Sequence, residues 1–363
     1  MQETRRQHTV SKFYLRGFAD EREQVARIAL PGEPRVRLSI RDASVIKDFY
    51  SVELPGGERS DMFEKAFSEI EGPASRALDA IFGGTWPLSL EEKGNLGLWI
   101  ALQQLRGEEV RASQSQIGAD FIRLLVGVSG KQALRRHMEA AEGRVVGDEE
   151  LDFEWRDITK PGGPTIMPNP IDHVRTVVEL APGLGGYLSE SHWTLHRFRR
   201  RALVTCDHPV SMDKAGRGAD GVGLATADIF TVALSRRLAL TIQPRRRLER
   251  FTADTASVAD FDVEGTTASA NSINQQTVRE ARRYVYLHPE DDVDPRVQLP
   301  EPTTSSRMRG IGIDGLISEE GLGASDSQSP HPASFTGEGL ESSDGVTLDD
   351  LPWPIPGRVC PEL

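Results

Sequence analysis

Cysteine is scarce in this chain of 363 residues: only Cys206 and Cys360 occur. Two thiols exclude a disulfide framework, cannot make a zinc quartet by themselves, and fit a reducing compartment. Long apolar runs are missing too. No window reaches the roughly 18 consecutive apolar residues of a membrane span. The first residues, Met1–His8, are polar and lack the apolar stretch of a signal peptide, so the expected location is the cytoplasm. Familiar catalytic signatures are absent as well. There is no Walker A loop, no dinucleotide-binding glycine pattern after a strand and no His-Glu-x-x-His. There is no Gly-x-Ser-x-Gly elbow, and no internal repeat of fixed period.

What is present is an ordinary globular composition with a lopsided charge. Hydrophobic residues make up 38% and charged residues 27%, with a net charge of -12. From Glu319 onward the acidic residues are opposed by one basic residue, Arg358, so the tail holds about two thirds of the net charge. The body is close to neutral and carries basic clusters, which leaves room for an anionic partner.

Hydrophobic periodicity divides the chain. Val25–Leu30 and Arg35–Ile40 alternate as strands around the turn signal Pro31-Gly32. Helices are expected from about Asp61 to Glu142. Asp61 with Glu64, and Ser89 with Glu92, have the spacing of capping boxes. Pro73 should kink or split the first of these helices. Further helices are expected over Ile117–Val128, Lys131–Ala141 and Ile171–Leu180. Gly143–Pro170 reads as an exposed connection, and Gly183–Gly186 as a turn. His192–Phe198 with Ala202–Cys206, and Asp228–Ser235 with Leu238–Ile242, read as antiparallel pairs. A short helix over Asn271–Arg283 and Tyr284–Leu287 close the body.

The expected fold class is therefore α+β: a helical middle with a mostly antiparallel sheet from N-terminal and C-terminal strands. We expect one domain over 1–288 and a disordered acidic tail over 289–363, whose Pro, Ser and Gly content cannot bury enough apolar surface to offset ordering. One apolar island, Leu348–Ile355, interrupts that tail. It is either a chance cluster or a segment that docks on a protein partner.

Three blocks resemble one family of bacterial proteins, the DUF4238 family, whose function is not established. They are Arg6-Gln-His-Thr-Val-Ser-Lys-Phe-Tyr-Leu-Arg-Gly-Phe18, Thr205-Cys-Asp-His-Pro-Val210, and Asn274 with Tyr284-Val-Tyr286. The resemblance covers the body and stops before the tail. Thr9 and Ser11 stand where the family pattern has an aromatic and a proline. Cys206 and His208 replace its Ser and Asn. The resemblance brings a family but no chemistry.

Candidate site residues are polar groups in segments that otherwise read as buried. Asp207 ends an apolar strand, where it either lines a cleft or fixes the turn before Pro209. His8 is a base, a metal ligand or an anion contact, or else satisfies a backbone carbonyl. Glu71 precedes the Pro73 irregularity, while Glu69 reads as a solvated residue. Arg106 would hold a phosphate or carboxylate bidentately, or cap its helix. Asn274 would bind a ligand or cap. His192 and His196 share a strand face, read as a structural pair on the wet side. The runs Arg197/Arg199–Arg201 and Arg245–Arg247 could meet nucleic-acid phosphates, but this is not favoured.

Two functions follow. In the first, His8, Glu71, Asp207 and Asn274 form a site for a divalent metal in a hydrolase or nuclease, with Arg106 on the substrate phosphate. In the second, these residues are structural, and the chain is a non-enzymatic binding or regulatory module that uses its acidic tail. Convergence of the five residues on one pocket discriminates between them.

Overall fold

The structure, a computed structural model, describes residues 6–47, 52–53, 59–60, 62–167, 170–214, 222–224, 226–249, 252, 258–303, 348, 353–355 and 358–359. It is α+β, as expected. By contacts the chain separates into two compact units. One is Met1–Val110 with Pro170–Ser305, and the other is Arg111–Asn169 with Ser306–Leu363. The expected single span over 1–288 is thus divided in its middle. The reason is the helical segment after Val110, which has an apolar cluster of its own.

The first unit opens with β1 (Arg6–His8), α1 (Lys12–Leu15), β2 (Gln24–Ala29), β3 (Arg35–Ser39), α2 (Ile40–Ala43) and β4 (Val45–Lys47). The short strands β5 (Val52–Glu53) and β6 (Arg59–Ser60) follow, then α3 (Met62–Phe82) and α4 (Leu90–Leu105). Helix α5 (Glu108–Ser129) begins here and runs into the second unit, which also holds α6 (Lys131–Glu142) and α7 (Asp148–Thr159). The chain returns to the first unit with α8 (Pro170–Glu190). Then come β7 (His192–Arg197), β8 (Thr205–Cys206), β9 (Val210–Asp213), β10 (Ile229–Ser235) and β11 (Leu238–Gln243). Helix α9 (Arg245–Leu248), β12 (Phe261–Glu264), α10 (Thr267–Glu280) and β13 (Tyr284–Leu287) complete it.

Two sheets organise the first unit. One has the order β12-β7-β11-β10-β9 and is antiparallel except for the parallel pair β12–β7. The other, β3-β2-β13-β8, is antiparallel throughout. Alternation along its strands sends Val25 and Tyr286 into the main core. Ala26, Ile28, Val285 and Leu287 go to a second cluster with Val278 and Ala281 of α10 and its end. The pairing of β10 with β11 matches the sequence reading. The expected pairing of 192–198 with 202–206 does not form: β7 pairs with β11 and β12, and β8 with β13. Local alternation marks a strand but does not choose its neighbour.

Ser89 and Glu92 make the expected capping box at α4. The Asp61–Glu64 pair lies outside the described side chains. Pro73 sits inside a continuous α3, so the helix is not split there. Gly183–Gly186, expected as a turn, lies inside α8. A Cβ on Gly185 would come within 2.8 Å of Leu98 Cα, so this glycine lets the backbones of α8 and α4 approach closely. Residues beyond Leu287, assigned from sequence to the tail, continue to pack: Val293, Val297 and Leu299 join the cluster under the second sheet. Arg236 and Arg201 hold Asp291 and Asp294, each pair at 2.7 Å.

The second unit is helical. Ile122 and Val126 of α5, Leu134 and Met138 of α6, and Leu151 and Ile158 of α7 form its core with Val146. Helix α7 falls in the stretch expected to be an exposed connection. Its six acidic residues obscured an apolar face, Leu151, Trp155 and Ile158, at helical spacing. Gly143 closes α6 in the left-handed conformation, with φ 66°.

Candidate functional site

Strand β8 delivers Asp207 to the point where α10 ends and β13 begins. Helix α10 stops at Ala281, whose ψ of 135° turns the chain into extended backbone. The amides that follow have lost their helical partners. Asp207 collects them: Oδ1 accepts from Arg282 N at 2.8 Å, and Oδ2 from Arg283 N at 2.8 Å and Tyr284 N at 3.1 Å. Burial pushes the carboxyl up to about 6, against the pull of the three amides, with Glu108 adding to the rise.

Beside this carboxylate lies a cavity of about 90 Å³. It is lined by Thr9 from the first family-like block, Asp207 from the second, and Tyr284 and Tyr286 from the third, together with Arg27, Ala43–Ile46, Glu108, Arg282 and Arg283. All three blocks therefore meet here. Tyr286 donates to Ala43 O at 3.0 Å and fixes the wall. Arg282 pairs with Glu109, and Arg283 with Glu108. Arg27 is different. Its guanidinium carbon lies 4.4 Å from the centroid of the Tyr284 ring, and among the described residues it has no carboxylate partner.

Glu71 and Arg106 belong to a second polar cluster, centred on Ser11. The Ser11 hydroxyl donates to Glu71 Oε1 at 2.6 Å. It accepts from Trp99 Nε1 at 2.9 Å, Gln103 Nε2 at 2.8 Å and Arg106 Nη2 at 2.9 Å. Arg106 also pairs with Glu71 at 3.2 Å. Trp99, Gln103 and Arg106 reach one point because they stand at i, i+4 and i+7 on one face of α4, the last at its C-cap. Ser11 is 1% exposed, so no substrate reaches it.

His8 stands beside this cluster. Its Nε2 donates to Arg41 O at 3.1 Å. Burial lowers its proton affinity; the Arg41 carbonyl and Glu71 act the other way, while Lys12 and Arg106 also lower it. Asn274 is elsewhere: Oδ1 accepts from Val204 N and Nδ2 donates to Ala202 O, both at 3.0 Å. That is a structural bracket between α10 and the segment leading to β8. The five sequence candidates thus divide into Glu71 and Arg106 at Ser11 with His8 nearby, Asp207 at the cavity, and Asn274 apart.

This arrangement does not suit a divalent metal. Both oxygens of Asp207 and both amide atoms of Asn274 are committed to backbone groups. Among the described residues no group of three or more His, Cys, Asp and Glu is placed to hold a metal ion. The hydrolase or nuclease expectation finds no support in the comparisons below.

The basic runs are mostly spent on neighbours. Arg197 pairs with Asp262, Arg199 with Glu264 and Arg201 with Asp294. Arg246 donates to Tyr187 Oη and Ala227 O. His192 is not on a wet face: β12 covers it, leaving it 5% exposed with its ring 4.9 Å from that of Phe261. Beside it Lys93, 8% exposed, donates to both oxygens of Asp260 and to Ser191 O. Sequence reasoning missed this ion pair, because nothing in a helix face and a distant loop announces their contact. It also missed Ser11, Arg27, Glu108, Arg282 and Arg283. A clue to the arginines was their alternation with apolar residues in β2 and their place between α10 and β13.

No curated protein and no solved structure matches this chain. One family model does, described as a protein of unknown function (DUF4238), and it matches residues 6–291. That span contains Thr9, Asp207, Tyr284 and Tyr286, the residues by which the three blocks meet, and the chain belongs to the DUF4238 family.

Proposed function

We propose that the chain is a binding module whose cavity beside Asp207 takes the carboxylate or phosphate group of a small molecule. The observation that carries this is Arg27. Two of the three arginines lining the cavity are matched by Glu108 and Glu109. Arg27 is the third, with no carboxylate partner among the described residues and held in place by the Tyr284 ring, while the Asp207 carboxylate in the same lining is taken up by backbone amides. A planar guanidinium fixed this way loses little freedom when it meets an anion with two oxygens. The cavity, at about 90 Å³, has room for a small anionic group and little else. Asp207 serves the site by holding the backbone of 282–284, not by reacting. The cytoplasm is its proposed place, on the cysteine count.

The test is calorimetric titration with inorganic phosphate and with acetate at fixed ionic strength, with chloride as the control. One of the two anions binds the native chain, and Arg27→Ala loses that binding while keeping its melting temperature. Equal behaviour of phosphate, acetate and chloride would refute the proposal.

A further inference from the structure

The second unit carries a groove filled by a distant piece of the same chain. Leu348 and Ile355 are 5% and 4% exposed and join the cluster formed by α5, α6 and α7. Trp353 donates from Nε1 to Glu142 Oε1 at 2.9 Å, and its ring meets His137 edge-on at 6.1 Å. Arg358, the lone basic residue after Glu319, is buried between two carboxylates of α7. It donates to Asp157 Oδ2 from Nη2 at 2.7 Å and from Nε at 3.2 Å, and it pairs with Glu154. Its backbone forms an antiparallel bridge with Ile166, and Val359 N donates to Thr165 O at 2.9 Å.

These are the elements by which proteins read short linear peptides: apolar sockets, one anchored aromatic ring, a charge clamp and added main-chain pairing. The occupant reaches the groove only through residues 304–347. The family match covers the groove residues of α6, α7 and 165–166 but ends at residue 291, well before the occupant.

We propose that this groove is a recognition site for a linear peptide of the pattern Trp-Pro-apolar followed three residues later by Arg, and that the C-terminal segment of the chain is its built-in competitor. A partner protein carrying such a peptide must displace Leu348, Trp353, Ile355 and Arg358 to bind. A tether sets the effective concentration of an internal competitor at roughly millimolar. A free peptide of micromolar affinity is then outcompeted by a factor of about 10 or more.

The test uses the full chain with a protease site inserted within 304–347. After cutting, the C-terminal fragment stays bound at high concentration and exchanges with a labelled synthetic peptide of residues 345–363. The uncut chain takes up the same peptide at least about 10-fold more weakly, and the peptide with Arg358→Ala binds the cut chain at least about 10-fold more weakly than the native sequence. Three results overturn the proposal: a cut chain with unchanged helical circular dichroism that does not bind the peptide, equal uptake by cut and uncut chains, or loss of helical signal when the fragment leaves. The last would make the segment a part of the core.

Discussion

The Ser11 cluster and the Asp207 cavity are two polar regions of one unit, two residues apart at Ser11 and Thr9, yet they are built on opposite plans. Around Ser11, three N–H donors and one carboxylate converge on a single hydroxyl, and no space is left. Around Asp207, charged groups stand back from a cavity, and one cation has no matching acid among the described residues. The charged residue types overlap: Arg and Glu occur in both. Space and unmatched charge, rather than residue identity, separate a buried bracket from a binding site.

The comparison makes predictions that differ in size. The largest effect should come from Arg106→Met. It strands Glu71 and removes one donor from Ser11, at a cost of about 3 kcal/mol in urea denaturation. Anion affinity should be unchanged, and a loss of affinity with full stability would place Arg106 in the binding site instead. Asp207→Ala should cost about 2 kcal/mol, because three amides lose their acceptor at a partly solvated place. It should also weaken anion binding by loosening 282–284. Arg27→Ala should change stability by no more than about 0.5 kcal/mol while removing the binding heat. If Arg27→Ala proves as destabilising as Arg106→Met, the contrast between the two regions fails.

The smallest effect is the dependence on acid. Burial holds His8 and His192 below the ordinary histidine value of 6.5. The folded chain then binds fewer protons than the unfolded chain, so stability falls as pH drops through 6.5. Asp207 works in the other direction. With its carboxyl raised to about 6, the folded state takes up a proton before the unfolded state does, and stability rises as pH falls from about 6 toward the ordinary carboxylate range. His8→Gln should therefore leave a chain less sensitive to the step from pH 7.5 to 5.5, read as the shift in urea midpoint.

Much of the fold was legible because it depends on local periodicity. The β2–β3 alternation, the Ser89 capping box and the β10–β11 hairpin all follow from residues close in sequence. The α7 helix was hidden because its first turn is acidic, although Leu151, Trp155 and Ile158 carry the signal. The pairing of β8 with β13 could not be read, since a two-residue strand has no pattern of its own. The candidate site was half legible. The family-like blocks pointed to Asp207 and to a meeting place of the blocks, and the cavity lies there. Ser11 escaped because a serine ahead of Lys-Phe-Tyr reads as a plain helix cap, whereas its partners come from α3 and α4. The island at Leu348–Ile355 was recognised as a docking segment or an accident, but its receptor could not be, because that receptor is a surface assembled from three helices.

Strand β13 has a consequence for the newborn chain. It lies between β2 and β8, so β2 waits for residues 284–287 before its second edge is covered. At ordinary rates of synthesis the interval from Ala29 to Tyr284 lasts roughly 10–50 seconds. Through that time the β2–β3 hairpin presents an open edge, Gln-Val-Ala-Arg-Ile-Ala, with a charge at its centre. Arg27 lies on that edge, so the cation assigned here to the ligand also makes the nascent strand a poorer template for pairing with a neighbouring chain on the same message.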